Sequence, residues 1–134
     1  MIERNCKNCG IKLKNRWQLK YCSNKCQLVH QHETHVRKWK DGSITVNTKN
    51  ISKWLKKYLL EKFKNKCSIC GWNKKHQKSG KVPLEVDHVD GNSGNNDEKN
   101  LQLLCPNCHS LTLNFKNFNR GKGRKWRMKK YLKN

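Results

Sequence analysis

Eight cysteines in four close pairs constrain this 134-residue chain more than any other feature. Two residues separate the members of Cys6/Cys9, Cys67/Cys70 and Cys105/Cys108, and three separate Cys22 from Cys26. A C-x-x-C turn aims two thiols at one point, and two such turns complete a tetrahedral thiolate set. The alternative, a disulfide framework, needs an oxidising compartment. The opening residues, Met1 to Cys6, lack the apolar stretch of an export signal, so the reducing cytoplasm is the expected location. The spacing predicts two structural Zn²⁺ sites, one from Cys6, Cys9, Cys22 and Cys26 and one from Cys67, Cys70, Cys105 and Cys108. Four thiolates close the coordination shell, so both are expected to be staples rather than catalytic centres.

A staple is needed because only 34% of the residues are hydrophobic and the mean hydropathy is −1.09. A chain this small and polar buries little apolar surface. No apolar run is long enough to span a bilayer, so no membrane association is expected. The balance of 31 Lys and Arg against 9 Asp and Glu gives a net charge of +22. An excess of that size points to a polyanionic partner, nucleic acid first.

Along the chain, residues 1 to 40 read as a zinc module followed by a helix. Leu28, His32, Val36 and Trp39 recur at helical spacing over 27 to 40. His30, His32 and His35 on it read as a polar face rather than as metal ligands. Residues 41 to 50 are turn-rich and read as a linker. Ile51, Trp54, Leu55, Tyr58, Leu59 and Phe63 form an apolar stripe that predicts a helix over 51 to 65, with lysines on its remaining surface. After the Cys67–Cys70 turn, Pro83 opens a strand over 84 to 89, in which Leu84 and Val86 face one side and Glu85 and Asp87 the other. Residues 90 to 96, DGNSGNN, are a turn signal, and Asp90, Asn92, Asn95 and Asn96 read as loop formers. A second strand, 101 to 104, leads to Cys105. Pro106 suits the first position of a helix expected over 106 to 116. The order is strand, loop, strand, helix, a small α+β unit clamped by zinc. The tail from 117 to 134 is basic with interleaved aromatics. Its Arg120, Lys122, Arg124, Lys125, Arg127, Lys129 and Lys130 are candidate phosphate contacts.

The 34 residues between Cys70 and Cys105 exceed what a plain zinc ribbon needs. Within and just after them lie LEVDHVDGN and NLQLLCPNCHSLT. Asp87-His88, Asn100 and His109, framed by C-x-x-C and C-P-N-C-H, resemble the HNH endonuclease family of the zinc-clamped ββα-metal (His-Me finger) type. The resemblance covers about residues 51 to 116, the expected nuclease domain. The preceding CKNCG and YCSNKCQ look like the extra zinc module of phage-encoded members, which would place the chain in a bacterial host cytoplasm. The resemblance implies a DNA endonuclease acting on duplex DNA in a role such as homing, restriction or phage DNA processing. It makes His88 the general base, has Asp87 and His109 hold one Mg²⁺ or Mn²⁺, and has Asn100 pin the loop that orients His88. The residue types suit that chemistry: imidazole accepts a proton near neutral pH, and oxygen plus imidazole donors suit a hard divalent cation. Two departures stand out. Many members carry Lys three residues after the last His and some a second His after four, where this chain has Thr112 and Leu113. A non-catalytic zinc-stapled nucleic-acid-binding protein would account for the charge and the cysteines, but not for Asp87, His88 and His109 together.

Overall fold

The computed structural model describes residues 4–46 and 51–119. The chain divides into two compact units, Met1–Thr45 and Val46–Asn134.

The first unit starts with a cysteine turn. Gly10, at φ +74°, lets its N–H reach the Cys6 carbonyl at 2.9 Å, a conformation that disfavours a side chain. Cys6 N–H in turn reaches the Ile11 carbonyl at 2.8 Å, and Asn5 bridges Lys12 in antiparallel fashion. Helix α1, Asn24–Lys40, begins three residues earlier than the apolar spacing implies. Ser23 explains the difference: its hydroxyl caps the helix by accepting from Cys26 N–H at 3.2 Å. Arg37, Lys38 and Lys40 in the last turn face the negative end of the helix dipole. None of its residues is fully buried. His30 lies against Tyr21, with ring centroids 5.6 Å apart, and His35 Nδ1 lies 2.7 Å from the Gln31 carbonyl. The histidines join no metal-type cluster among the described residues.

The second unit is a small α+β fold. Helix α2, Lys53–Lys62, is shorter than the 51–65 stripe predicts. Lys64 and Asn65 adopt φ +52° and +55°, and Asn65 N–H closes back on the Leu60 carbonyl at 2.8 Å. This reversal ends the helix and delivers the chain to Cys67. The stripe itself holds, with Leu55 and Leu59 fully buried. Strands β1, Glu85–His88, and β2, Leu101–Leu104, pair antiparallel with Asp87 opposite Gln102 and His88 opposite Leu101. β1 is one residue shorter at each end than expected. Helix α3, Pro106–Ser110, follows directly and stops six residues short of the expected 116. Leu111 and Leu113 are 83% and 90% exposed, so no apolar face draws a longer helix onto the sheet. Thr112 also diverts its hydroxyl to the His109 carbonyl at 2.9 Å, an alternative to continued helix.

The core of this unit is Cys67, Leu84, Leu103, Leu104 and Cys105, with Phe63, Trp72 and Val86 packed against it. Two of its five buried members are cysteines, so the metal-type cluster and the apolar core are one structure. The Cys67 turn repeats the Cys6 turn. Gly71, at φ +73°, bonds the Cys67 carbonyl at 2.9 Å, and Ser68 N–H ties the turn to Leu103 of β2 at 2.8 Å. No helix among the described residues is long and apolar enough to cross a membrane. Four residues of the expected linker, 47 to 50, and the seven candidate phosphate contacts from Arg120 to Lys130 lie outside the described residues.

Leu103 has no exposed surface. Leu103→Ala should destabilise the unit by about 2–5 kcal/mol, while Leu113→Ala should stay within about 0.5 kcal/mol. Urea unfolding of the two metal-loaded variants checks this, and equal costs would contradict the described core.

Candidate functional site

Two clusters of four cysteine sulfurs have all their sulfurs within 4.8 Å of one another: Cys6/Cys9/Cys22/Cys26 and Cys67/Cys70/Cys105/Cys108. Both groupings match the sequence expectation, and all eight cysteines are unbridged. Separations are 3.6 Å for Cys9–Cys22, 3.5 Å for Cys22–Cys26 and 3.7 Å for Cys70–Cys105. A tetrahedron with metal–sulfur bonds of about 2.3 Å has edges of about 3.8 Å, so the donor set fits zinc. Each cluster takes two thiols from a glycine-ended turn and two from a helix start. Cys26 is in the first turn of α1, and Cys105 caps α3 one turn before Cys108.

Electrostatics oppose four thiolates at these distances unless a cation sits among them. The Cys9 amide, bonded to the Cys6 sulfur, lowers the Cys6 thiol to about 6. Burial opposes ionisation of Cys67, but amides of Cys70, Cys105 and Ile69 outweigh it and bring that thiol to about 6. The partners absorb the opposite effect. Cys26 and then Cys9 push Cys22 up to about 12, and Cys70, with burial and Cys105, pushes Cys108 up to about 12. In the first cluster Asn8 and Cys22 lower Cys26 as well, so two of its thiols favour the thiolate and Cys22 opposes it, while in the second Cys67 favours the thiolate and Cys108 opposes it.

The second constellation lies where β1, β2 and α3 meet. Asp87, expected to face away from Leu84 and Val86, does so, yet it is buried rather than solvated. Its Oδ2 accepts from Gln102 Nε2 at 2.8 Å, directly across the sheet. Its Oδ1 lies 3.6 Å from Nε2 of His109, at the end of the clamp. The other ring nitrogen, Nδ1, lies 2.6 Å from Glu85 Oε2. A carboxylate only accepts, so Nδ1 carries a proton, and in the neutral ring Nε2 is the nitrogen that faces Asp87 with its lone pair. Two donors on one divalent cation, at bonds of about 2.1 Å, stand about 3.0–3.4 Å apart. The Asp87–His109 pair is within a few tenths of an ångström of that, and a mixed oxygen and imidazole set suits such an ion. Phe115 closes one side of the His109 ring edge-on, with centroids 5.4 Å apart.

His88, the next residue of β1, is half-buried, and its Nε2 lies 3.0 Å from Asn96 Oδ1. That oxygen accepts, so Nε2 carries a proton, and in the neutral ring Nδ1 is the nitrogen with the lone pair. Asn100 does not touch the ring. Its Nδ2 donates to Asp90 Oδ1 and to the Asn95 carbonyl, both at 2.8 Å, and its Oδ1 accepts from Asp90 N–H at 3.0 Å. It cross-links the loop that carries Asn96. Desolvation opposes ionisation of Asp90, but bonds from Asn95 Nδ2, Asn92 N–H and Asn100 Nδ2 outweigh it and hold the carboxyl below its usual range. Asp90 and Asn95, read from sequence as loop formers, are therefore the acceptors around which the loop closes. Thr112 donates to the His109 carbonyl, and Leu113 is exposed.

Sequence reasoning missed three supporting residues: Glu85 beside His109, Gln102 beside Asp87, and Asn96 beside His88. The strand alternation put Glu85 and Asp87 on one face, which is the signal that both meet whatever packs there. Gln102 needed the strand register, and Asn96 needed the loop closure.

Residues 67–114 match the HNH endonuclease family. This stretch therefore carries an HNH endonuclease domain, and it contains the second thiol cluster, Asp87, His88, Asn100 and His109. Among curated proteins, the H-N-H endonuclease F-TflIV of Escherichia phage T5 is 52% identical over 48 residues. The match takes in 36% of this chain and 20% of that protein, so the chain matches about a fifth of its relative's length. No solved structure matches.

Cys22 and Cys108, near 12, still hold their protons at pH 7, so metal uptake must release protons at both clusters. Zinc affinity should rise with pH through the neutral range and fall on acidification. Calorimetric zinc titration in buffers of different ionisation enthalpy reads the released protons directly. Uptake without proton release would contradict the thiol assignments.

Proposed function

We propose that this protein is a metal-dependent endonuclease that hydrolyses phosphodiester bonds in duplex DNA, with β1, β2 and α3 as a ββα-metal core. The observation that carries the reading is the chain Gln102–Asp87–His109–Glu85. It leaves one carboxylate oxygen and one imidazole nitrogen facing each other at 3.6 Å, and the residue that follows Asp87 in β1 is His88, whose Nε2 lies beside Asn96. The match of residues 67–114 supports it.

In this reading Asp87 and His109 hold one Mg²⁺ or Mn²⁺, and both thiol clusters hold zinc as staples. A divalent cation held by these two residues would supply charge neutralisation to the reaction. His88 takes the proton of the attacking water on Nδ1, because Asn96 occupies Nε2. Asn100 fixes the loop that presents Asn96, so it positions the base at one remove. Gln102 occupies the second oxygen of Asp87, so Oδ1 is the one that would be left for a cation. Glu85 fixes the His109 tautomer and aims Nε2, as second carboxylates commonly do for metal-binding histidines. The order along the chain, from 1–40 through a linker at 41–50 to a nuclease domain at 51–116 and a basic arm at 117–134, would set zinc module, catalysis and DNA affinity in series. The likeness to a phage protein fits action in a bacterial host cytoplasm.

Plasmid cleavage with Mg²⁺ or Mn²⁺ tests the base. His88→Ala should bind DNA and metal as the wild type does and cut about 10²–10⁴-fold more slowly. Equal rates would remove His88 from that role, and a wild type that binds DNA without cutting it would favour a purely binding protein. Glu85→Gln keeps the size of the side chain but loses the charged acceptor. It should weaken Mn²⁺ binding on the order of 10–100-fold, measured by electron paramagnetic resonance, with zinc content unchanged.

A further inference from the structure

A second feature of the Val46–Asn134 unit is a groove of about 730 Å³ between α2 and the segment leading into β1. Five lysines line it: Lys53, Lys56 and Lys57 from α2, and Lys75 and Lys81 from the loop after the Cys67 turn. No acidic side chain lines it. Leu60, Val82 and Pro83 are among its apolar lining residues.

This arrangement costs the fold stability. Lys53, Lys56 and Lys57 are three and four residues apart, so they share one helix face and repel. They also occupy the first turns of α2, which contain no acidic residue, where the helix dipole disfavours cations. Lys57 pairs with Glu61 at 3.8 Å, and both side chains of that pair are more than half exposed, so the pair offsets little of the repulsion. Like charges gathered in a concavity with apolar walls focus a positive potential into it. A ligand with regularly spaced negative charges and an apolar face reverses that cost, and a sugar–phosphate backbone has both.

We infer that this groove binds the phosphate backbone of duplex DNA beside the cleavage position, as an affinity site separate from the catalytic residues. The inference rests on the proposed endonuclease reading and adds the path of the substrate to it. The groove's lining ends at Leu84, next to Glu85. A strand rises about 3.3 Å per residue, so Asp87 lies about 10 Å further along. Asp87 also faces away from Leu84, so the phosphates this groove contacts are flanking ones rather than the one that is cut. Lys53, Lys56 and Lys57 precede residues 67–114, so the family match does not account for them.

The test uses the full zinc-loaded chain and a fluorescent DNA duplex, with binding measured across salt concentrations. Changing Lys53, Lys56, Lys75 and Lys81 together to Gln should weaken the Kd at least tenfold. It should also flatten the plot of log affinity against log salt by a slope of about 3 to 4, because each phosphate no longer neutralised takes away roughly 0.9. A control changes Lys7, Lys14, Lys25 and Lys38 to Gln, removing equal charge from the Met1–Thr45 unit, and should lose less affinity and less slope. Replacing the four groove lysines by Arg should restore binding. If the Gln variant does not take up zinc, Lys75→Gln and Lys81→Gln singly should each lower the slope by about one. A groove variant that binds with the affinity and slope of the control overturns the inference. Cleavage separates the two proposals. A wild type that binds but never cuts defeats the endonuclease reading. A groove variant that cuts at wild-type rate under saturating DNA, with a raised KM, supports the groove, and an unchanged KM overturns it.

Discussion

The contact on which the Val46–Asn134 unit depends is the convergence of Cys67, Cys70, Cys105 and Cys108. The apolar core alone is thin: it amounts to a few leucines with Phe63, Trp72 and Val86 around them, and two of its buried members are themselves cysteines. Closing four sulfurs on one point fixes the turn after α2 against the end of β2 and the start of α3. His109 is the residue after Cys108, so the same closure sets its distance from β1. The geometry of the thiol cluster thereby becomes the geometry of the proposed active site. The first unit repeats the device, with a glycine-ended turn, a thiol before a helix and a thiol in its first turn, but no carboxylate or histidine constellation is attached to it among the described residues.

The proposed catalytic residues are each held by a neighbour that leaves one atom available. Gln102 takes one oxygen of Asp87, Glu85 takes one nitrogen of His109, and Asn96 takes one nitrogen of His88. Preorganisation of this kind matters because a misplacement of about 1 Å at a reacting group can cost on the order of 100-fold in rate. The loop from Asp90 to Asn96 serves the same end. Asn95 Nδ2, Asn92 N–H and Asn100 Nδ2 all bond to the Asp90 carboxylate, which ties together the segment that carries Asn96.

Much of this was legible in the sequence, and the physical reasons differ by element. The thiol clusters were legible because ligand spacing is local: two residues between cysteines dictate one turn. The strands and the apolar face of α2 followed from periodicity. The ends of the elements did not. Helix α2 stops where Lys64 and Asn65 adopt left-handed backbone, and α3 stops where Thr112 turns its hydroxyl back on the helix and no apolar face continues. Neither is a property of period. The supporting residues were hidden for another reason. Glu85 meets His109 across 24 positions and Gln102 meets Asp87 across 15, so both need the register between β1 and β2 and the return of α3. Asp87 was picked out by its motif, but its burial was not, because strand alternation alone says which face a residue takes and not what covers that face.

The central claim is that one thiol cluster holds a structural metal and thereby sets Asp87 and His109 to hold a different one. Anomalous diffraction from crystals of the zinc-loaded protein soaked in Mn²⁺, recorded at both metal edges, tests it most directly. The account predicts zinc at each four-cysteine cluster and manganese between Asp87 Oδ1 and His109 Nε2. Manganese bound elsewhere, or a Cys67/Cys70/Cys105/Cys108 cluster without zinc in an ordered protein, would contradict it.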